Sequence, residues 1–263
     1  MSVVSDTIRA AKAEGRAALV GYLPAGYPTV PGSVETLNAM VDAGCDLLEI
    51  GVPYSDPVID GPVIQAAANT ALSGGFRLRD LFSVVEQVSA AGGKAVVMTY
   101  WNPVFHYGVD RFARDLAAAG GLGLITPDLV PDEGQDWLDA SAAHGLDRIF
   151  LVAPSSTEER IAMTTAASSG FVYATAVMGV TGARDAVGAD AAGLVARTRA
   201  HTSLPVGVGL GVRSGDQAAE VAGFADAVIV GSAFVSRAGE GIGPVRDLAA
   251  ELADGVRRGL VTS

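Results

Sequence analysis

One cysteine, three histidines and 18 basic residues against 29 acidic ones are all that this 263-residue chain offers to several common chemistries. Each shortage excludes something. Cys45 alone permits no intramolecular disulfide. His106, His144 and His201 are scattered without ligand-like spacing, so neither a structural zinc nor an iron–sulfur site is expected, and no metal at all. A formal charge of −11 makes nucleic acid and anionic membrane poor partners for the overall field. Any anionic ligand must be held by local dipoles. Nowhere do 18 apolar residues run together, so no membrane-spanning helix is expected. The first segment, MSVVSDTIRAAKAEGRAALV, carries charges throughout and lacks the apolar stretch of a signal peptide. A reduced, cytoplasmic location is the expectation.

Apolar residues, by contrast, are plentiful at 49%, and they fall into eight short runs. AALVGYL starts at 17, DLLEIGV at 46, KAVVMTY at 94 and GLGLIT at 121. DRIFLVA follows at 147, GFVYATAVM at 170, PVGVGLG at 205 and DAVIVG at 226. Most are apolar on both faces, as strands covered on both sides must be. Helix-like segments lie between them, such as SVETLNAMVDAG from 33, closed by Gly44, and RDLFSVVEQVSAAGG from 79. The spacing matches repeated strand–helix units and predicts a (β/α)8 TIM barrel. A doubly wound open sheet would normally announce itself with G-x-G-x-x-G after the first strand, and GYLPAGYP is not that. The widest gap leaves room for an extra helix in the second βα loop, read in GPVIQAAANTALSGG from 61. SDTIRAAKAEG reads as an N-terminal helix capped by Ser5 and covering the barrel floor. With no linker or low-complexity tract, residues 1–263 are expected to form one barrel domain.

Two acids stand out. In DLLEIGV, alternation sends Leu47, Glu49 and Gly51 one way and Leu48, Ile50 and Val52 the other. The all-aliphatic set suits the helix layer. Glu49 is then left pointing inward near the C-terminal end of a strand, where barrel active sites lie. A buried carboxylate must be paired or must keep its proton, so Glu49 is either a catalytic acid or half of an ion pair. Asp60, eleven residues on, is either its partner in acid–base work or an Asx turn before a helix beginning at Pro62.

The last two strands end in glycine. GVGLGVRSGDQAAEVA carries Gly209 and Gly211, then Ser214 and Gln217 at capping-box spacing. VIVGSAF carries Gly231 and Ser232. Loops after strands seven and eight, with a helix N-terminus, are a common phosphate site in such barrels. A third Gly-rich segment, VMGVTGARDAVGAD from 177, suits a lid.

Together LLEIGVPYSDPVIDGPVIQ, MTYWNP, ITPDLVPDE, YATAVMGVTGAR, VGVGLGV and VIVGSA resemble the tryptophan synthase α subunit, in that family's order and over essentially the whole chain. The resemblance implies retro-aldol cleavage of indole-3-glycerol phosphate to indole and glyceraldehyde 3-phosphate, without a cofactor. It implies that indole passes to a pyridoxal-phosphate-bearing β subunit in an α2β2 heterotetramer. Glu49 then matches the family's acid/base, Asp60 the acid that accepts the indole N–H, and Tyr173 the tyrosine beside the glycerol chain. The resemblance puts Tyr22, Tyr100, Ile125, Pro127 and Leu151 around the indole. It puts Gly182, Gly211, Gly231 and Ser232 at the phosphate, and Thr181 on the lid, reaching Asp60 on closure. Ser55, Asp56 and Pro57 fall on the rim that would meet the β subunit.

Tyr22 and Leu210 stand where phenylalanine is common in the family, and Leu122 where an aspartate often precedes the strand. These departures bear on pocket packing. Two other readings remain at this point. A non-catalytic activator of a β subunit would be marked by loss of Glu49 or Asp60, and both are present. Another phosphosugar barrel, such as indole-glycerol-phosphate synthase, would be expected to offer lysines at strand ends. The strand runs here hold only Lys94, at a strand start.

Overall fold

A computed structural model describes residues 2–175, 184–209 and 211–259. Its strands, in chain order, are β1 Ala18–Pro24, β2 Leu47–Gly51, β3 Ala95–Met98, β4 Gly123–Ile125 and β5 Asp147–Ile149. β6 Leu151–Val152, β7 Val172–Thr175, β8 Val206–Gly209 and β9 Ala227–Val230 follow. All pair in parallel, in the order β5-β4-β3-β2-β1-β9-β8-β7-β6. The two ends of that order are halves of one predicted strand, the run from 147, interrupted at Phe150. β5 pairs with β4 and β6 with β7, and the Tyr173 N–H donates to the Phe150 carbonyl at 3.1 Å. The sheet therefore closes on itself as a (β/α)8 barrel.

Closure divides the apolar side chains into two cores. Val20, Leu47, Val96, Ile125, Ile149, Ala227 and Ile229 fill the barrel interior. Leu48, Ile50, Val97, Leu124, Val208 and Val228 face the surrounding helices. The alternation expected for β2 holds, with Leu47 inside and Leu48, Ile50 and Val52 outside. Fully burying each Val, Leu or Ile contributes about 1.5–3 kcal/mol, so turning β2 over would forfeit several such terms.

A bidentate contact fixes the register that matters most. The Arg16 guanidinium donates to both Asp46 oxygens at 2.7 and 2.9 Å, and Asp46 also accepts the Leu19 N–H at 2.8 Å. These bonds tie the start of β1 to the start of β2. From there the pairing runs Val20↔Leu47, then Tyr22↔Glu49, then Pro24↔Gly51.

The helix Val3–Ala13 closes the floor, with Val4, Ile8 and Ala11 inside the barrel core. Its cap is Ser2, whose side chain accepts the Ser5 N–H, so the expectation for Ser5 is corrected. Ser5 lies inside the helix, and its hydroxyl donates instead to the Gly170 carbonyl at 2.5 Å. Lys94 is also a floor residue, donating to the Thr7 hydroxyl at 3.0 Å, far from any strand C-terminus. Beside this helix lies a cavity of about 280 Å³, where Lys12 and Arg199 both reach Asp226 at 2.9 and 3.0 Å. Asp226 is only 4% exposed and accepts the Val206 N–H as well, so these cations serve the fold. The extra helix expected in the second βα loop is Pro62–Ser73, with its proline in the first turn. Among the described residues no helix is long and apolar enough to cross a membrane.

Candidate active site

Glu49, Tyr22 and Tyr173 lie toward the ends of the strands. Glu49 on β2 is the register partner of Tyr22 on β1, and two residues further along β2 is Gly51. A Cβ at Gly51 would collide with the Tyr22 hydroxyl, so the phenol lies across the glycine. The same arrangement recurs on the other side of the barrel, where a Cβ at Gly209 on β8 would collide with the Tyr173 hydroxyl of β7. Sequence reading places both tyrosines but misses that these two glycines make room for them.

Glu49 is 2% exposed, and its Oε2 is buried without a hydrogen-bond partner. Among the described residues no lysine or arginine pairs with it, which sets aside the ion-pair alternative. Burial first, and the nearby charge of Asp60 second, raise its pKa from 4.5 to about 8. At neutral pH Glu49 therefore holds its proton. It is an acid with one oxygen unpaired.

Asp60 sits half-buried in the loop between β2 and the helix Pro62–Ser73. Burial raises its carboxyl above the usual range, and a hydrogen bond from Tyr100 works against that rise. The Tyr100 hydroxyl also accepts the Ile59 N–H at 3.1 Å, so one phenol fixes both the loop and its acid. The helix that follows has Gly61 as its N-cap and Pro62 in its first turn, and the Gln65 side chain donates to the Asp60 carbonyl at 2.7 Å.

The other residues expected to wall the indole lie on or just after neighbouring strands. Tyr100 is buried, Ile125 belongs to the barrel interior, and Leu151 and Tyr173 pack against that interior. Pro127 is half-buried just after β4. Two supports escape sequence reading. Tyr54 places its ring 5.4 Å from that of Tyr100. Asp128 accepts the Trp101 N–H with both oxygens, at 2.9 and 3.1 Å, fixing the backbone next to Tyr100.

In the loop after β8, Gly211 has φ +71°, a conformation that favours glycine. Ser214 caps the helix Gly215–Ala222 as expected. Gln217, however, accepts the Arg213 N–H at 2.8 Å rather than that of Ser214, so the predicted capping box is not formed. Gly231 is the N-cap of the helix Ser232–Glu240, and Ser232 opens that helix. Two helix N-termini thus follow β8 and β9, the arrangement that favours an anion. Thr181, Gly182 and Leu210 lie outside the described residues. A helix begins at Arg184, inside the segment 177–190 expected as a lid, and residues 177–183 lie outside the described residues.

On the rim, Ser55 and Asp56 are exposed and bonded to each other at 2.5 Å, with Pro57 half-buried beside them. Val58 is 75% and Ile59 51% exposed, and Val63, Phe105 and Val130 are exposed as well. Among the described residues no cluster of His, Cys, Asp and Glu could hold a metal ion.

Comparison with known proteins agrees with this geometry. Residues 8–257 match the family model described as tryptophan synthase alpha chain. The chain is 66% identical over 262 residues to the tryptophan synthase alpha chain of Nocardia farcinica, covering 100% of this chain and 98% of that one. It is 66% identical over 247 residues to that of Mycobacterium marinum, covering 94% and 92%. A solved structure of Mycobacterium tuberculosis tryptophan synthase superposes with a TM-score of 0.93 at 61% identity, over 97% of this chain and 98% of that one. The chain belongs to the tryptophan synthase alpha chain family.

Proposed function

We propose that this protein is a carbon–carbon lyase that cleaves indole-3-glycerol phosphate to indole and glyceraldehyde 3-phosphate. The observation that carries this reading is Glu49: a buried carboxylic acid, protonated to about pH 8, with an unpaired oxygen beside a second acid at the strand C-termini. In the retro-aldol step Glu49 gives its proton to indole C3, leaving a cation delocalised onto N1. Asp60, ionised and held by Tyr100, accepts the N1–H bond and balances that charge. The C3–C3′ bond then breaks, its electrons restoring the indole. The C3′ hydroxyl becomes the aldehyde and gives its proton to the Glu49 carboxylate, so the acid is regenerated. Tyr173 lies beside the glycerol chain.

Phosphate binding falls to Gly211, Gly231 and Ser232, with Gly182 and Thr181 contributed by the segment that follows β7. The backbone N–H groups there supply the positive potential that the chain as a whole lacks. No cofactor is required. Indole passes to a β subunit in a cytoplasmic α2β2 assembly. Ser55, Asp56 and Pro57 meet that subunit, together with the exposed apolar residues Val58, Ile59 and Phe105. A purely activating, non-catalytic role would have no use for a proton held on Glu49.

The test is direct. Purified chain, given indole-3-glycerol phosphate and a coupled dehydrogenase that reads aldehyde release, is expected to turn over. Absence of aldehyde, both alone and with β subunit added, would overturn the reading.

A further inference from the structure

Tyr22 is placed differently from the indole walls. Ile125 and Leu151 come from β4 and β6, whereas Tyr22 stands on β1, between β9 and β2. Its Cδ1 lies 3.5 Å and its Cβ 3.8 Å from where a Cβ at Gly231 would sit, and its hydroxyl lies across Gly51. The side chain therefore runs from the phosphate end of the pocket to the acid end, alongside its register partner Glu49. On the cleavage reading, the glycerol chain joins those two ends.

The Tyr22 hydroxyl makes no hydrogen bond to the protein among the described residues, although the residue is nearly buried. The hydroxyl is not one of the sealed, unpartnered polar atoms, so it stays open to the space above Glu49 and free to bond a ligand. Resting on the cleavage reading above, the substrate brings two glycerol hydroxyls into this space. Glu49 takes the proton of the one at C3′. The middle one, at C2′, has no assigned partner.

We propose that the Tyr22 hydroxyl hydrogen-bonds the C2′ hydroxyl of the substrate, which makes Tyr22 a specificity-determining residue for the glycerol chain rather than a wall of the indole pocket. Gly51 is the backbone device that permits it, because any side chain there would displace the phenol. Burial and the charges of Asp60 and Glu49 keep the phenol protonated, so its donor is present at every working pH.

The test compares two ligands that differ only at this chain: indole-3-glycerol phosphate and 3-(indol-3-yl)propyl phosphate, which lacks both hydroxyls. Dissociation constants are measured calorimetrically in the Glu49→Gln background, so that no turnover intervenes, with Tyr22 present or changed to Phe. Tyr22→Phe is expected to weaken the glycerol ligand about 10-fold and to leave the propyl ligand within about twofold. Unchanged affinity for both ligands would overturn the proposal, since the hydroxyl would then contact nothing. Parallel weakening of both would also overturn it, since Tyr22 would then act through its ring. Wild-type turnover, measured separately, tests the cleavage reading itself, so the two failures are distinguishable.

Discussion

Glu49 and Asp60 form an electrostatic pair in which burial of Glu49, and after it the charge of Asp60, keeps the Glu49 proton in place to about pH 8. The pair divides the labour that cleavage of a 3-substituted indole demands: a proton for carbon and a negative charge for nitrogen. One acid that keeps its proton beside a second that gives its own up can do both.

Glu49→Gln keeps the shape and removes the titratable proton. Turnover is expected to fall by at least ~10²-fold, the usual scale of general acid–base help. In the wild type, kcat is expected to decline as pH passes about 8, where Glu49 loses its proton. Steady-state assays from pH 6 to 9.5 check both, and a variant keeping more than about a tenth of wild-type turnover would remove Glu49 from the mechanism.

The same shift makes a stability prediction. Glu49 binds its proton more tightly folded than unfolded, so its contribution falls as pH rises from the unfolded value of 4.5 to about 8. Below that window there is no penalty, and at pH 7 the penalty is of order 3 kcal/mol. Glu49→Gln is therefore expected to gain stability relative to wild type between pH 5 and 8. Urea midpoints at several pH values test it, and parallel curves would contradict it.

Tyr100→Phe removes the hydrogen bond that holds the Asp60 carboxyl down against burial. The acidic limb of the kcat profile, where Asp60 must ionise, is expected to move to higher pH while the limb near 8 stays. If the acidic limb does not move, Tyr100 acts on Asp60 only through the Ile59 backbone.

Gly51→Ala drives a methyl into the Tyr22 phenol and forces the ring into the pocket. A rise in KM of at least ~10-fold is expected, with a stability loss of about 1–3 kcal/mol from overpacking. Gly193→Ala is the control. It lies on a helix with nothing within 4 Å of the added carbon, and is expected to raise stability by about 0.5–1 kcal/mol at unchanged turnover.

Much of this was legible in the residues. The alternation of DLLEIGV places Glu49 inward because the five positions 47, 48, 50, 51 and 52 around it sort cleanly by face, and glycines ending two late strands point to an anion site. What escaped has physical causes. DRIFLVA is uniformly apolar, so nothing in it marks the interruption at Phe150. Ser2 and Ser5 both suit a helix cap, and only the contact of Ser5 with Gly170 decides between them. Gln217 has the right spacing for a capping box yet bonds one residue earlier, because the spacing alone does not choose between two adjacent N–H groups. Gly51 and Gly209 read as ordinary strand glycines, since the phenols lying over them come from neighbouring strands. Contacts between strands distant in sequence leave no local pattern.

The central claim is that Glu49 carries its proton at neutral pH, and its carboxyl can be watched directly. Carbon-13 NMR of protein labelled at glutamate side-chain carboxyls, with Glu49→Gln to assign the resonance, would follow its titration. A midpoint near 8 is the predicted result. A midpoint near the ordinary 4.5 would contradict the account, because Glu49 would then be ionised at neutral pH and would have no proton to place on the indole ring.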